Sequence, residues 1–190
     1  MSVDKDFEEL LTSMKRAAGA LREAEVRFAL GGGLAVWARG GPRTEHDVDF
    51  FVKPEDAEHA QRVLADHGMR SERPPEGWLL KAHDGETLVD LIFEPRGGPV
   101  DDDWFDRADE MDVYAVKMLV ASLEDVLITK LLALNEQNLD YSSVLEVARA
   151  VREQLDWDSI RDRTADSPYA KAFLTLVEEL GVAPRPVVSK

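Results

Sequence analysis

The sequence predicts an α/β (α+β) fold in which a small mixed sheet is followed by a C-terminal helical bundle, and three observations lead there. Short β-branched and aromatic runs alternate with amphipathic helical stretches over the first 121 residues. From residue 122 onward the apolar period changes from strand-like to helix-like and stays so. At 190 residues and 44% hydrophobic content, the chain can bury a full interior. The expected organisation is a sheet-bearing core over 1–121 and a helical region over 122–190.

"DFEELLTSMKRAAGALREAEV" spaces Phe7, Leu10, Leu11, Met14 and Leu21 at helical intervals, predicting a first helix that packs across a sheet. "RFAL" reads as a short strand running into Gly31, Gly32 and Gly33, and "LAVWAR" as a brief helix ended by "GGP". "DVDFFV" is the next strand. Pro54 opens a helix that turns Ala57, Ala60, Val63 and Leu64 inward and stops near Gly68. "WLLKAH" and "TLVDLIF" flank "DGE", which predicts an antiparallel hairpin. The run "DDDWFDRADEMD", residues 101–112, reads as a solvated acidic loop, and "YAVKMLVA" as one more extended segment. Ser122 and Asp125 begin a capping box for "LEDVLITKLLALNEQ"; "YSSVLEVARAVREQL", "WDSIRDRTA" and "PYAKAFLTLVEEL" complete the helices.

Composition removes several chemistries. Without cysteine there are no disulfides, no thiolate nucleophile and no cysteine zinc site, and His46, His59, His67 and His83 show no metal-ligand spacing. A metal would therefore sit on carboxylates, which suits Mg²⁺ or Mn²⁺. The formal charge of -15 opposes general polyanion binding, although residues 141–190 are nearly balanced, with seven basic and eight acidic side chains. No segment approaches the ~20 apolar residues of a membrane span, and no basic-then-apolar leader is evident. A soluble, cytoplasmic protein without membrane contact is expected. Walker A, GxSxG and GxGxxG patterns are absent.

The chemistry concentrates in residues 28–52, "FALGGGLAVWARGGPRTEHDVDFFV". In a strand, alternate side chains share a face, so Val48, Phe50 and Val52 fill the core while Asp47 and Asp49 project from the other side. Carboxylates about 6 to 7 Å apart at Cα can share two cations roughly 3.5 to 4 Å apart, as in two-metal phosphoryl transfer. Asp90, the single charge inside "TLVDLIF", is either a third ligand or general base, or part of an exposed strand face. Gly32 and Gly33 leave backbone N–H groups that can approach phosphate oxygens, or are an ordinary turn. Lys130 interrupts an apolar stripe with Val126 and Leu134 at i, i+4 and i+8; it either snorkels to the helix edge or balances triphosphate charge. Arg39 and Arg43 are phosphate or acceptor contacts, or surface charges.

The order Gly32-Gly33, thirteen residues, Asp47-Val48-Asp49 and then an Asp90 strand resembles the DNA polymerase β-type nucleotidyltransferase superfamily. More narrowly, "SLEDVLITKLLALNEQNLDYSSVLEVARAV" is similar to the helical region of AbiEii-type and MenT-type toxin nucleotidyltransferases. That resemblance covers roughly residues 28–151. It implies a polymerase β-like core, two Mg²⁺ ions on Asp47, Asp49 and Asp90, an NTP substrate gripped by the glycine turn and Lys130, and functional places for Lys130 and Asp140. Asp140 also suits a helix N-cap. The resemblance further implies the 3′ end of tRNA as acceptor and a toxin restrained by an antitoxin protein. A local basic patch from Arg39, Arg43, Lys81, Arg149 and Arg152 would serve that acceptor. Two departures are visible: Gly33 stands where many relatives carry serine, and the GSxxRG form is absent. The alternatives are nucleotidylation of a cationic small molecule such as an aminoglycoside, and a non-catalytic nucleotide-binding module.

Overall fold

The computed structural model describes residues 3–44 and 47–186; His46 and the end of the tail lie outside them. Seven strands form one mixed sheet in the order β3-β4-β5-β2-β1-β7-β6. They are β1 Phe28–Leu30, β2 Asp47–Val52, β3 Arg70–Glu72, β4 Leu79–Asp84, β5 Thr87–Ile92, β6 Asp109–Val113 and β7 Val116–Val120. The pairs β2/β5 and β1/β7 are parallel, and the remaining neighbours antiparallel.

The first helix, α1 (Val3–Glu23), buries Phe7, Leu10, Leu11, Met14 and Leu21 against the sheet and against α3 (Pro54–Asp66). On β2, Val48, Phe50 and Val52 are fully buried, and Phe50 meets Phe28 edge-on at 5.1 Å between ring centres. The short α2 (Gly32–Ala38) follows β1 directly. Between β4 and β5, Gly85 takes φ +63° in a two-residue turn that fixes the hairpin register.

The acidic stretch is ordered rather than a loop. Asp101 caps α4 (Asp102–Asp106) by accepting from the Trp104 amide at 3.3 Å, and Asp102 accepts from Lys53 and Arg27 at 2.8 and 2.6 Å. Residues Asp109–Val113 then form the edge strand β6. The extended segment expected from Tyr114 begins at Val116, because Tyr114 and Ala115 make a two-residue turn with φ of +48° and +61°. Strands β3 and β6 escaped sequence reading for one reason. Both are mostly exposed edges, without the apolar alternation that marks a half-buried strand.

Among the described residues four α-helices follow, α5 Leu123–Ala133, α6 Ser142–Val151, α7 Trp157–Arg163 and α8 Pro168–Glu179, with a 3₁₀ turn at Arg152–Gln154 between α6 and α7. The Ser122 hydroxyl accepts from the Asp125 amide at 3.0 Å, as the capping pattern requires. Helix α5 stops at Ala133 rather than near residue 137, because Asn135 accepts from the amides of Gln137 and Asn138 and folds the chain into a turn. Asp125, fully buried, is held by Arg107 at 2.9 Å and by Arg163, tying α5 to the sheet edge and to α7. Such a pair fixes geometry, since removing one partner strands a buried charge. No described helix is long and apolar enough to cross a membrane.

Candidate active site

The parallel register of β2 and β5 sets Asp49 directly beside Asp90 and Asp47 beside Leu88. Side-chain alternation then puts Asp47, Asp49 and Asp90 on one face, where an oxygen from each lies within 4.8 Å of the others. These are the three carboxylates singled out in the sequence. Gly32 sits against them at φ +52°, and a Cβ on it would fall 1.7 Å from an Asp49 carboxylate oxygen. Only glycine fits there.

The electrostatics follow from this crowding. Burial, together with the charges of Asp47 and Asp90, pushes the Asp49 carboxyl up to about 8, with Lys130 and Lys81 pulling the other way. Burial also raises Asp90, opposed chiefly by Lys81, whose ammonium donates to both Asp90 oxygens at 3.0 and 3.2 Å. At neutral pH the cluster therefore retains a proton that a divalent cation would displace. Three converging carboxylates, with too little positive charge around them, form an all-oxygen donor set that fits Mg²⁺ or Mn²⁺.

Beside the cluster opens a cleft of about 220 Å³. Gly33, Arg43, Thr44, Lys130, Ser143 and Glu146 form its polar wall, and Val36, Pro42 and Val147 its apolar one. Lys130 reaches it from the last turn of α5, partly buried and without a carboxylate within ion-pair distance among the described residues.

A family profile described as "Uncharacterised nucleotidyltransferase" matches residues 6–178. The chain belongs to that family. Comparison with curated protein sequences finds no match. Among solved structures, the nucleotidyltransferase resembles ANT(2″)-Ia in complex with adenylyl-2″-tobramycin, at 15% identity and TM-score 0.61, with 86% of this chain and 98% of that one covered. It also resembles the lincomycin-bound lincosamide antibiotic adenylyltransferase LnuA, at 17% identity and TM-score 0.52, covering 72% of this chain and 92% of that one. Both likenesses establish the shared fold.

Other residues singled out in the sequence of this nucleotidyltransferase have different surroundings. Arg39, expected at the nucleotide, donates instead to Asp109 at 2.9 Å and to the carbonyls of Val120 and Ala121 at 3.0 and 3.1 Å. Its guanidinium clamps α2 to the β6–β7 edge. Asp140 is exposed and does not line the cleft; its carboxylate accepts from the Ser142 amide at 2.8 Å, which lowers its pKa, and it lies one residue before Tyr141, which holds the N-cap position of α6 instead. Arg43 lines the cleft, its guanidinium 5.1 Å from the Phe7 ring centre. Of the residues offered for a basic patch, Arg39 and Lys81 are paired with acidic partners, and Arg152 pairs with Glu153 at 3.0 Å. Lys81, named in the sequence only for a basic patch, is instead the ion-pair partner of Asp90, and that pairing has a sequence signal. Counting back through the two-residue turn pairs Asp84 with Thr87 and hence Lys81 with Asp90.

Proposed function

We propose that this nucleotidyltransferase moves a nucleoside monophosphate from an NTP to an acceptor hydroxyl, with Asp47, Asp49 and Asp90 holding two Mg²⁺ ions. The observation that carries the reading is the convergence of those carboxylates beside a cleft bearing Lys130 and Arg43. Bound there, the cations would neutralise triphosphate oxygens and the charge that develops at phosphorus. Lys130 and Arg43 screen the β- and γ-phosphates from the acidic cluster, and Gly32 and Gly33 let the backbone approach them. Asp90, its pKa raised by burial and its orientation fixed by Lys81, accepts the acceptor's hydroxyl proton. The acceptor oxygen bonds to the α-phosphorus in line with the breaking bond, whose electron pair leaves with pyrophosphate.

For the acceptor, a small polycationic hydroxyl compound is the reading the charges favour. The net charge of -15 attracts such a compound and repels nucleic acid, and the residues proposed for a tRNA patch are largely spent on internal pairs. Likeness of fold to ANT(2″)-Ia, solved with adenylyl-2″-tobramycin, agrees with this reading. Transfer to the tRNA 3′ end by an antitoxin-restrained toxin rests on the motif similarity around Lys130 and Asp140. One experiment separates them. Labelled NTPs are incubated with Mg²⁺ and either an aminoglycoside panel or total tRNA, using native protein and Asp49→Ala. Label on an aminoglycoside, with pyrophosphate released by native protein alone, is the expected result. Label on tRNA, together with growth arrest on expression that Asp49→Ala abolishes, would establish the toxin reading instead. NTP binding indifferent to Mg²⁺, with no pyrophosphate from any acceptor, would leave a binding module.

A further inference from the structure

Gly33 and Thr44 compete for one volume. A Cβ on Gly33 would lie 2.5 Å from the Thr44 Cβ and 2.6 Å from its hydroxyl oxygen, closer than side chains approach. The Thr44 side chain thus fills the space that any side chain at position 33 would take, on the polar wall of the cleft shared with Lys130 and Arg43. Thr44 is partly exposed, and its hydroxyl makes no hydrogen bond to the described residues. Thr12, Thr129, Thr164 and Thr175 each return the hydroxyl to a backbone carbonyl at 2.7–3.0 Å, whereas Thr87, away from the cleft, shares with Thr44 the lack of a hydroxyl partner among the described residues. A hydroxyl without a partner among the described residues, on a cleft wall shared with Arg43 and Lys130 and faced by one carboxylate, Glu146, offers a neutral, directional donor beside charges that attract an anion without fixing its orientation.

We propose that Thr44 is a phosphate-binding residue, its hydroxyl donating to a triphosphate oxygen of the NTP in the cleft, and that position 33 is glycine to make room for it. This rests on the reading of the cleft as the nucleotide site. Lys130 and Arg43 then supply charge neutralisation, and Thr44 sets which oxygen faces the wall. The two roles separate experimentally, because removing a neutral donor changes orientation and affinity without altering the net charge of the cleft.

The test is titration calorimetry with Mg²⁺-tripolyphosphate, a base-free probe of the phosphate subsite, alongside KM and kcat for each of the four NTPs. Thr44→Val keeps the shape and removes the hydroxyl; it is expected to weaken tripolyphosphate binding and raise KM about tenfold, as for loss of a charged hydrogen bond. Thr44→Ser is expected within about threefold of the native protein. Gly33→Ser alone should lose binding through collision with Thr44. The double variant Gly33→Ser/Thr44→Ala moves the hydroxyl across the same gap and should recover binding relative to Thr44→Ala alone. Thermal melts verify that each variant is folded, and the comparison between the double variant and Thr44→Ala does not depend on Thr44→Val folding. Native-like binding by Thr44→Val, or a double variant no better than Thr44→Ala, overturns the assignment while leaving the nucleotide reading intact. Failure of the native protein to bind tripolyphosphate or any NTP overturns both.

Discussion

Replacing Asp49 by asparagine should make the metal-free protein more stable while abolishing its reaction. Asparagine keeps the shape and removes the charge that burial, Asp47 and Asp90 oppose. The displacement of this carboxyl from 3.8 to about 8, at about 1.4 kcal/mol per pH unit, sets a ceiling of about 6 kcal/mol at alkaline pH. Water at the cleft mouth and sharing of the proton among three acids reduce the realised gain to about 2 kcal/mol. A folded pKa above the unfolded one means that the native carboxyl's contribution is intact below pH 4 and is lost as pH rises toward 8. The advantage of Asp49→Asn is therefore largest near pH 8.5 and narrows steadily toward pH 5. For a chain of this length, about 2 kcal/mol corresponds to a rise of about 4–8 °C in Tm. Circular-dichroism melts in EDTA at both pH values measure it. Added Mg²⁺ should reverse the order, stabilising the native protein alone. A variant equal to or less stable than native at pH 8.5 in EDTA would refute the crowded-carboxylate argument.

Other outcomes follow from the same geometry. Mg²⁺ affinity in the absence of nucleotide, measured by calorimetry, should strengthen as pH rises from 6 to 8.5, because the cation displaces a proton held at Asp49. Gly32→Ala sets a Cβ 1.7 Å from an Asp49 oxygen on a φ of +52°; it should lose about 1–3 kcal/mol in urea melts and all stabilisation by Mg²⁺. Lys81→Met removes the cation opposing the raised pKa of Asp90, so the acid limb of the pH–rate profile should move to higher pH and kcat should fall at pH 7. Asp140→Ala should lower the midpoint of a thermal melt only slightly through loss of its bond to the Ser142 amide, with pyrophosphate release retained.

Much of the site could be read in the sequence because its grammar is local. Asp47 and Asp49 alternate with fully buried apolar residues, and Asp90 is a lone charge in a strand, so each announces a shared face. Their convergence was less accessible: it depends on the parallel pairing of β2 with β5, a contact across roughly forty residues that no periodicity encodes. The arginines show the same limit. Arg39 finds Asp109 seventy residues away, and nothing about an arginine after a short helix distinguishes a clamp from a phosphate ligand. Thr44 was passed over because a hydroxyl within a polar connection carries no pattern; its significance appears only once Gly33 is seen to yield its space.

The central claim is that Asp47, Asp49 and Asp90 together take up the cations that bring a nucleotide to its reaction. Its most direct test is a Mn²⁺ titration followed by electron paramagnetic resonance, with a non-hydrolysable NTP analogue present, on native protein and Asp49→Asn. The account predicts two ions per native chain and loss of tight binding in the variant. Equal Mn²⁺ uptake by both proteins would contradict it.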